Sequence, residues 1–551
     1  MKFRFVFLLV CIFGKTNVSD AQIDHSATTL FTRADTLRGT IGTGRDWWDV
    51  TEYVVLVEPD YNNKSIKGKT DIGFKVINPG KLMQIDLQEP MKLTNAYLGD
   101  IKLNFKREGN VFFIEMPTEL TKGSTHKLAL AYEGNVTIAK KAPWDGGWIF
   151  TKDKLGRPWM TVACQGLGAS VWFPCKDHQG DEPENGSTLK ISVPDSLVAV
   201  GNGRLISKKI FKQGWTTYEW KVINPINNYN IIPYIGKYVE FGESYPGVNG
   251  KLDCSYWVMD YNIDKAKVHF NQVPFMLKAF ESSFGPYPFY EDSYKLVETP
   301  HLGMEHQSAV AYGNEYMNGY RGRDLSGTGW GNKWDFIIVH ESGHEWFGNS
   351  ITANDIADMW IHEGFTNYSE TVFTTFQHGK EAGDAYVQGT RKLIANETPI
   401  IGYYGVNNEG SGDMYYKGGN LIHYVKQLFD NDENFFVALR EMNKQFFHQI
   451  VTTKQIENFW SNQTGKDLSR LFDQYLRNTA IPILEVKKIN QGIQYKWTNC
   501  IKGYNAPVKI ILNGQPIWVN PQQNWQSSYI GKNIDTILLD PNFYCGLKQI
   551  E

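Results

Sequence analysis

His340-Glu341-Ser342-Gly343-His344, followed after eighteen residues by Glu363, is the stretch on which the reading of this 551-residue chain turns. Two histidines at i and i+4 share one face of a helix, because four residues make close to one turn. The run before them, Trp334-Asp335-Phe336-Ile337-Ile338-Val339, is apolar enough to be buried. Histidines inside such a helix need polar partners, and a metal ion supplies one. Trp360-Ile361-His362-Glu363-Gly364-Phe365 sets a carboxylate in a second apolar stretch. His340, His344 and Glu363 thus form a His2Glu ligand set for one Zn2+ per chain, the type that leaves a fourth position open. Glu341, beside a ligand, has the placement of a general base in metal-assisted peptide hydrolysis. Glu370 follows Glu363 by seven residues, so it shares that helical face and can accept a hydrogen bond from a ligating histidine.

Composition bounds the rest. Hydrophobic residues make up 42% and charged residues 21%, which favours large packed cores over global disorder. The formal charge of −3 gives no basic excess, so a nucleic-acid partner is not expected. Lys2 and Arg4 precede an apolar block from Phe5 to Phe13, and Ser19-Asp20-Ala21 offers small residues for cleavage before Gln22. Residues 1–21 therefore read as a signal peptide, and the chain as exported, to a periplasm or beyond the cell. The block is too short to span a bilayer, and no later segment offers a transmembrane run. Cys164, Cys175, Cys254, Cys500 and Cys545 then remain, an odd number, so at least one is unpaired within the chain. Cys500 and Cys545 share one short region and are the preferred disulfide pair.

Away from the histidines the hydrophobic period changes. Residues 22–240 read as one antiparallel β domain: Tyr53-Val54-Val55-Leu56-Val57 is β-branched, and Ile72, Phe74 and Val76 alternate. Helical spacing dominates residues 241–480, as in Leu421, Ile422, Val425 and Leu428. Thr452 and Gln455 have capping-box spacing, and Asp467 is placed to cap the helix of Leu468, Leu471, Phe472 and Tyr475. Strands return in 481–551, where Asn513-Gly514 predicts a hairpin turn. The fold class is multidomain α+β.

Several segments carry a resemblance. His340-Glu341-x-x-His344-Glu345-Trp346-Phe347-Gly348-Asn349, Trp360-x-x-Glu363-Gly364-Phe365 and Phe173-Pro174-Cys175-x-Asp177 together resemble the gluzincin aminopeptidases, the family of aminopeptidase N and leukotriene-type hydrolases. The match covers nearly the whole chain after the leader. It implies an N-terminal β domain, a thermolysin-like and mostly helical catalytic domain, and a small C-terminal β domain. After the C-terminal strands no long helical domain like that of larger members is expected, which implies a more open enzyme. Leu302-Gly303-Met304-Glu305-His306 resembles the family strand Gly-x-Met-Glu-Asn, whose glutamate holds the substrate's α-amine. The resemblance thus assigns amine binding to Glu305, with Gly303 and Met304 as substrate contacts. Leu302 and His306 depart from the family's glycine and asparagine. Cys164-Gln165-Gly166 resembles the segment giving a second amine contact, Gln165. Tyr415 resembles the tyrosine that donates to the oxyanion; spacing alone does not separate it from Tyr416.

The resemblance implies a zinc aminopeptidase that removes N-terminal residues from peptides with a free N-terminus. A carboxylate facing a buried ammonium would reject chains lacking that amine. The rival readings are a zinc endopeptidase and a peptide-binding relative with weak catalysis.

Overall fold

The computed structural model describes residues 31–551; the signal-peptide reading of 1–21 lies outside them. The first long strand, Trp48–Asp60, alternates buried and half-buried residues, with Tyr53, Val55 and Val57 inside. A pleated strand turns successive side chains to opposite faces, so this alternation puts one face on a core. The strand pairs antiparallel with Ser65–Val76, where Ile72, Phe74 and Val76 are buried. On its other side it pairs with Ser187–Pro194 in parallel, which corrects the expectation of an all-antiparallel domain. Parallel neighbours need a long crossover. Here the crossover is the 126-residue excursion from 61 to 186, which includes the Cys164–Gly168 loop. Trp48, Trp148, Trp172 and Phe173 fill the core. That core continues into Met259, Val297, Met304 and Ala311 of the next domain, so no solvent layer separates the two.

The catalytic domain contains a five-stranded sheet that the helical spacing of its sequence does not set apart, with the strands in the spatial order Tyr238–Gly247, Gly250–Met259, Tyr294–Glu298, Val310–Tyr312, Gly303–Met304, and two helices inserted between the second and third. The short edge strand Gly303–Met304 pairs antiparallel with Val310–Tyr312. Ten α-helices are described along the chain: α1 (Arg33–Gly39), α2 (Ile263–His269), α3 (Val273–Phe284), α4 (Phe336–Gly343), α5 (Trp360–His378), α6 (Lys380–Thr390), α7 (Tyr416–Gln427), α8 (Asp432–Gln445), α9 (Thr453–Thr464) and α10 (Ser469–Leu476). Thr452 and Gln455 form the reciprocal capping box at α9. At α10 the helix starts later than expected. Leu468 takes the N-cap position, and Asp467 Oδ1 accepts from the Ser469 N–H at 2.9 Å as part of the preceding turn.

After α10 the described elements are strands. Val508–Leu512 and Gln515–Val519 pair through the Asn513-Gly514 turn. This region docks on the helices: Tyr424 of α7 meets the Phe543 ring edge-on at 4.9 Å and donates to Pro507 O at 2.9 Å. Cys500 and Cys545 are both free thiols, which corrects the disulfide expectation; nearness in sequence did not bring their sulfurs together. No described helix is long and apolar enough to cross a membrane.

Candidate metal centre

Asp335 starts α4, its Oδ1 accepting from the N–H groups of Ile337 at 2.9 Å and Ile338 at 3.1 Å. That cap satisfies two of the orphan donors at the helix start. It is anchored in turn, because Asp335 Oδ2 accepts from Tyr312 OH at 2.8 Å. The α-helix closes at Gly343, and His344 takes the C-cap while keeping helical φ and ψ. The i,i+4 alignment of His340 and His344 therefore survives the end of the helix.

α5 brings Glu363 in its first turn. Glu363 Oε2 lies 3.7 Å from His340 Nε2 and 3.3 Å from His344 Nε2, and all three residues are buried. The three ligand atoms fall within 4.8 Å of one another. Glu363 Oε2 is buried with no hydrogen-bond partner, a costly state that an ion between these groups relieves. Burial alone would raise the Glu363 pKa, but the positive charge of His344 and His340 when protonated outweighs it and holds the carboxyl well below its ordinary range; a cation between the three groups would supply that charge with the rings neutral. The other ring nitrogens are occupied. His340 Nδ1 donates to Glu370 Oε1 at 2.7 Å, and His344 Nδ1 donates to Phe347 O at 2.9 Å. Those bonds fix the tautomer that leaves both Nε2 lone pairs facing Glu363, the arrangement a metal requires. The donor set suits zinc.

Glu370 is itself pinned, accepting from Tyr386 OH at 2.6 Å and Asn367 Nδ2 at 3.1 Å. Glu341 faces the same cavity, beside the edge strand. A Cβ on Gly303 would stand 2.8 Å from Glu341 Oε1, so only glycine there leaves the carboxylate its space. Burial first, against the pull of His340 and His344, lifts the Glu341 pKa to about 7.

Glu305 is 2% exposed and lies on the same cavity; its ligand atom falls within 4.8 Å of those of Glu341 and His344. Glu305 Oε1 accepts from Gln165 Nε2 at 2.5 Å and from Tyr229 OH at 3.0 Å. Burial and then the Glu363 charge raise its pKa, against the opposing pull of His344. The structure thus brings Gln165, from the β domain, to Glu305, from the catalytic sheet. Of the two departures from the family strand, Leu302 lines the cavity. His306 points inward, its Nδ1 2.6 Å from Tyr234 OH.

Tyr415 and Tyr416 stand at the start of α7, which packs closely on α5. A Cβ on Gly418 would lie 3.0 Å from Gly364 Cα, so the glycine pair lets the helices touch backbone to backbone. Tyr415 stacks over His340 at 6.1 Å between ring centroids. Burial, then Glu363 and Glu305, push its phenol well above the usual value, so it stays a proton donor. The carboxylate beside Tyr416 is Glu370 instead.

These side chains line a cavity of about 370 Å³, together with Gly303, Met304, Trp144 and Glu409. Tyr229, Tyr386, Trp144 and Glu409 were not among the residues expected from sequence. Tyr229 sits in Asn227-Asn228-Tyr229-Asn230, which has no spacing that points at Glu305.

Residues 268–475 match the Peptidase family M1 domain, and residues 50–229 match the Peptidase M1 N-terminal domain. Leukotriene A-4 hydrolase of Xenopus laevis is 23% identical over 372 residues, taking in 64% of this chain and 57% of that protein. Aminopeptidase B of Homo sapiens is 23% identical over 332 residues, 57% of this chain and 47% of that protein. The chain thus spans about half the length of the curated relatives it matches. An M1 zinc metallopeptidase variant from Deinococcus radiodurans, bound to a Tyr-Ser-Ala substrate, aligns with a TM-score of 0.67 at 19% identity, covering 80% of this chain and 97% of that one. That likeness establishes the fold. With the two M1 regions in order along more than half of its length, the chain belongs to peptidase family M1.

Proposed function

We propose that this chain is a zinc-dependent aminopeptidase that removes N-terminal residues from peptides. One observation carries the reading: a buried carboxylate, Glu305, stands beside a His2Glu cluster within one cavity. The first fits an α-ammonium, and the second fits the ion that activates a scissile carbonyl one residue away. The names of the relatives, aminopeptidase B among them, and the tripeptide in the solved neighbour support it.

His340, His344 and Glu363 would hold a zinc ion, which when bound would supply Lewis acidity to the attacking water and the scissile carbonyl. Glu305 pairs with the α-ammonium in a charge-assisted bond. Gln165 gives its Nε2–H to Glu305, which leaves its amide oxygen free to accept from the same ammonium. Glu341 takes the proton of the attacking water and passes it to the leaving amine. Tyr415 donates to the oxygen on which negative charge develops, a bond that strengthens as the barrier is climbed. Met304 and Gly303 offer the edge along which the peptide lies, and Glu370 orients His340.

The experiment is a matched pair of peptides, one with a free α-amine and one acetylated. Cleavage of the first alone supports the aminopeptidase; efficient cleavage of the acetylated peptide at an internal bond would make it an endopeptidase. Tight binding of either without turnover would favour a peptide-binding relative. We also propose export through residues 1–21, for which the basic start and apolar block are the support. Mass spectrometry of the mature protein should find Gln22 first.

A further inference from the structure

We propose that residues 31–46 are a brace across the domain boundary, and that Arg38 is the positioning residue that fixes Gln165 against Glu305. The inference rests on the aminopeptidase reading of the same cavity. The amide of Gln165 sits on a tight loop closed by the Gly168 N–H on Cys164 O at 2.6 Å. The two carbonyls that follow Gln165 both accept from one guanidinium. Arg38 Nη2 donates to Gly166 O at 3.0 Å, and Nη1 donates to Leu167 O. A planar fork on two successive carbonyls fixes both peptide planes, which a single ammonium cannot do. Gln88 Nε2 adds a third bond, to Leu167 O at 2.7 Å.

The fork is itself held from behind. Arg45, fully buried, pairs with Asp86 and donates from Nη1 to Arg38 O at 2.8 Å. Gln84 Nε2 donates to Leu37 O at 2.8 Å. The end of α1 is thereby tied to the β domain. The same segment touches the catalytic domain. Gly39 lies flat on the backbone of Val406 and Asn407, Thr40 Oγ1 donates to Gly405 O, and the Phe31 ring meets Tyr403 edge-on at 5.4 Å. That loop carries Glu409, whose Oε2 lies 4.0 Å from where a Cβ on Gly166 would stand. The segment therefore grips both loops that form one side of the cavity.

Core packing does not account for this segment. α1 buries none of its side chains, and residues 31–46 precede the matched N-terminal domain. What the helix offers is polar contacts aimed at two cavity loops. An amine-binding amide needs its backbone fixed to hold a bond to a buried carboxylate, and the brace supplies that.

The test uses the full zinc-loaded chain with Arg38→Ala, Arg38→Lys, Gln165→Ala and the Arg38→Ala/Gln165→Ala double variant, on an aminoacyl anilide. Arg38→Ala is expected to raise KM about tenfold with kcat nearly unchanged, the mark of lost uniform binding. Arg38→Lys should recover only part of that. In the Gln165→Ala background, Arg38→Ala should add nothing, because the effect passes through Gln165. Additive KM effects, or a lowered Tm with unchanged KM, would overturn the proposal. Amide exchange over residues 163–169 is read on the same samples and needs no turnover. It should quicken about tenfold in Arg38→Ala, and unchanged exchange overturns the brace. A wild-type enzyme inactive on every free-amine substrate would sink the aminopeptidase reading alone, with the exchange result still deciding the brace.

Discussion

His340 Nδ1 lies 2.7 Å from Glu370 Oε1, thirty residues along the chain and one helix away. Glu370 accepts from two further donors, Tyr386 OH and Asn367 Nδ2, so its position is set before any ion binds. Removing it strands three buried donors and frees the imidazole to rotate. Glu370→Ala is expected to weaken zinc binding by about 10- to 100-fold, the usual cost of losing such a partner. Chelator-competition titration of the apoprotein measures this directly. Wild-type affinity in the variant would mean that the bond does not orient the ligand.

Glu341→Gln separates zinc binding from proton transfer. The carboxamide fills the same space beside Gly303 but accepts no proton. Zinc content should stay at one ion per chain, while kcat falls by about 10²- to 10⁴-fold. Residual turnover within a few-fold of wild type would remove Glu341 from the role of base.

The closeness of His340, His344 and Glu363 was legible because its logic is local. His340, His344, Glu363 and Glu370 occupy two helices whose period alone determines which side chains share a face. The same holds for the capping box at Thr452 and the hairpin at Asn513-Gly514. The contacts around Glu305 are different in kind. Gln165 meets Glu305 across 140 residues, and Tyr229 meets it across 76. No periodicity carries such pairings, so Glu305 and Gln165 were reached only through family resemblance and Tyr229 was not reached at all. The parallel pairing of Trp48–Asp60 with Ser187–Pro194 went unforeseen for the same reason. Strand propensity identifies a strand but not its partner. The Cys500–Cys545 pairing erred by reading nearness in sequence as nearness in space.

Glu182 gives a pH test free of the metal site. Its Oε1 accepts from Thr352 Oγ1 at 2.8 Å, joining the β domain to the catalytic domain. Burial, opposed by that bond and one from Asn227, raises its pKa to about 8 from an ordinary 4.5. The folded chain therefore keeps a proton that the unfolded chain gives up as pH rises through the ordinary carboxylate range. Stability from this group is full at acid pH and is lost as pH climbs from about 4.5 to about 8, by up to about 1.4 kcal/mol per pH unit. Glu182→Gln removes this slope. Urea unfolding at pH 5 and pH 8 should show a smaller loss in the variant than in wild type; equal losses would mean that Glu182 is ionised in the folded chain.

Charge around the cavity leads to a last expectation, about the first residue of the substrate. Glu305, Glu341, Glu363, Glu370 and Glu409 line it, and among its described lining residues none is Lys or Arg. In the proposed function the α-ammonium would answer Glu305, and zinc would answer Glu363. Glu409 makes no ion pair among the described residues, and it stands beside Gly166, next to the amide that would grip the amine. An acidic first side chain would enter this field with like charge, and a basic one would be drawn into it. Substrates beginning with Asp or Glu should show kcat/KM at least about tenfold below those beginning with Lys or Arg, roughly 1.4 kcal/mol of discrimination. Glu409→Gln should narrow that ratio, chiefly through KM for the basic substrates. It should do so most at low ionic strength, where exposed charge is least screened. A panel of aminoacyl anilides at two salt concentrations decides the matter: a ratio unaltered by Glu409→Gln would place the discrimination elsewhere in the cavity wall.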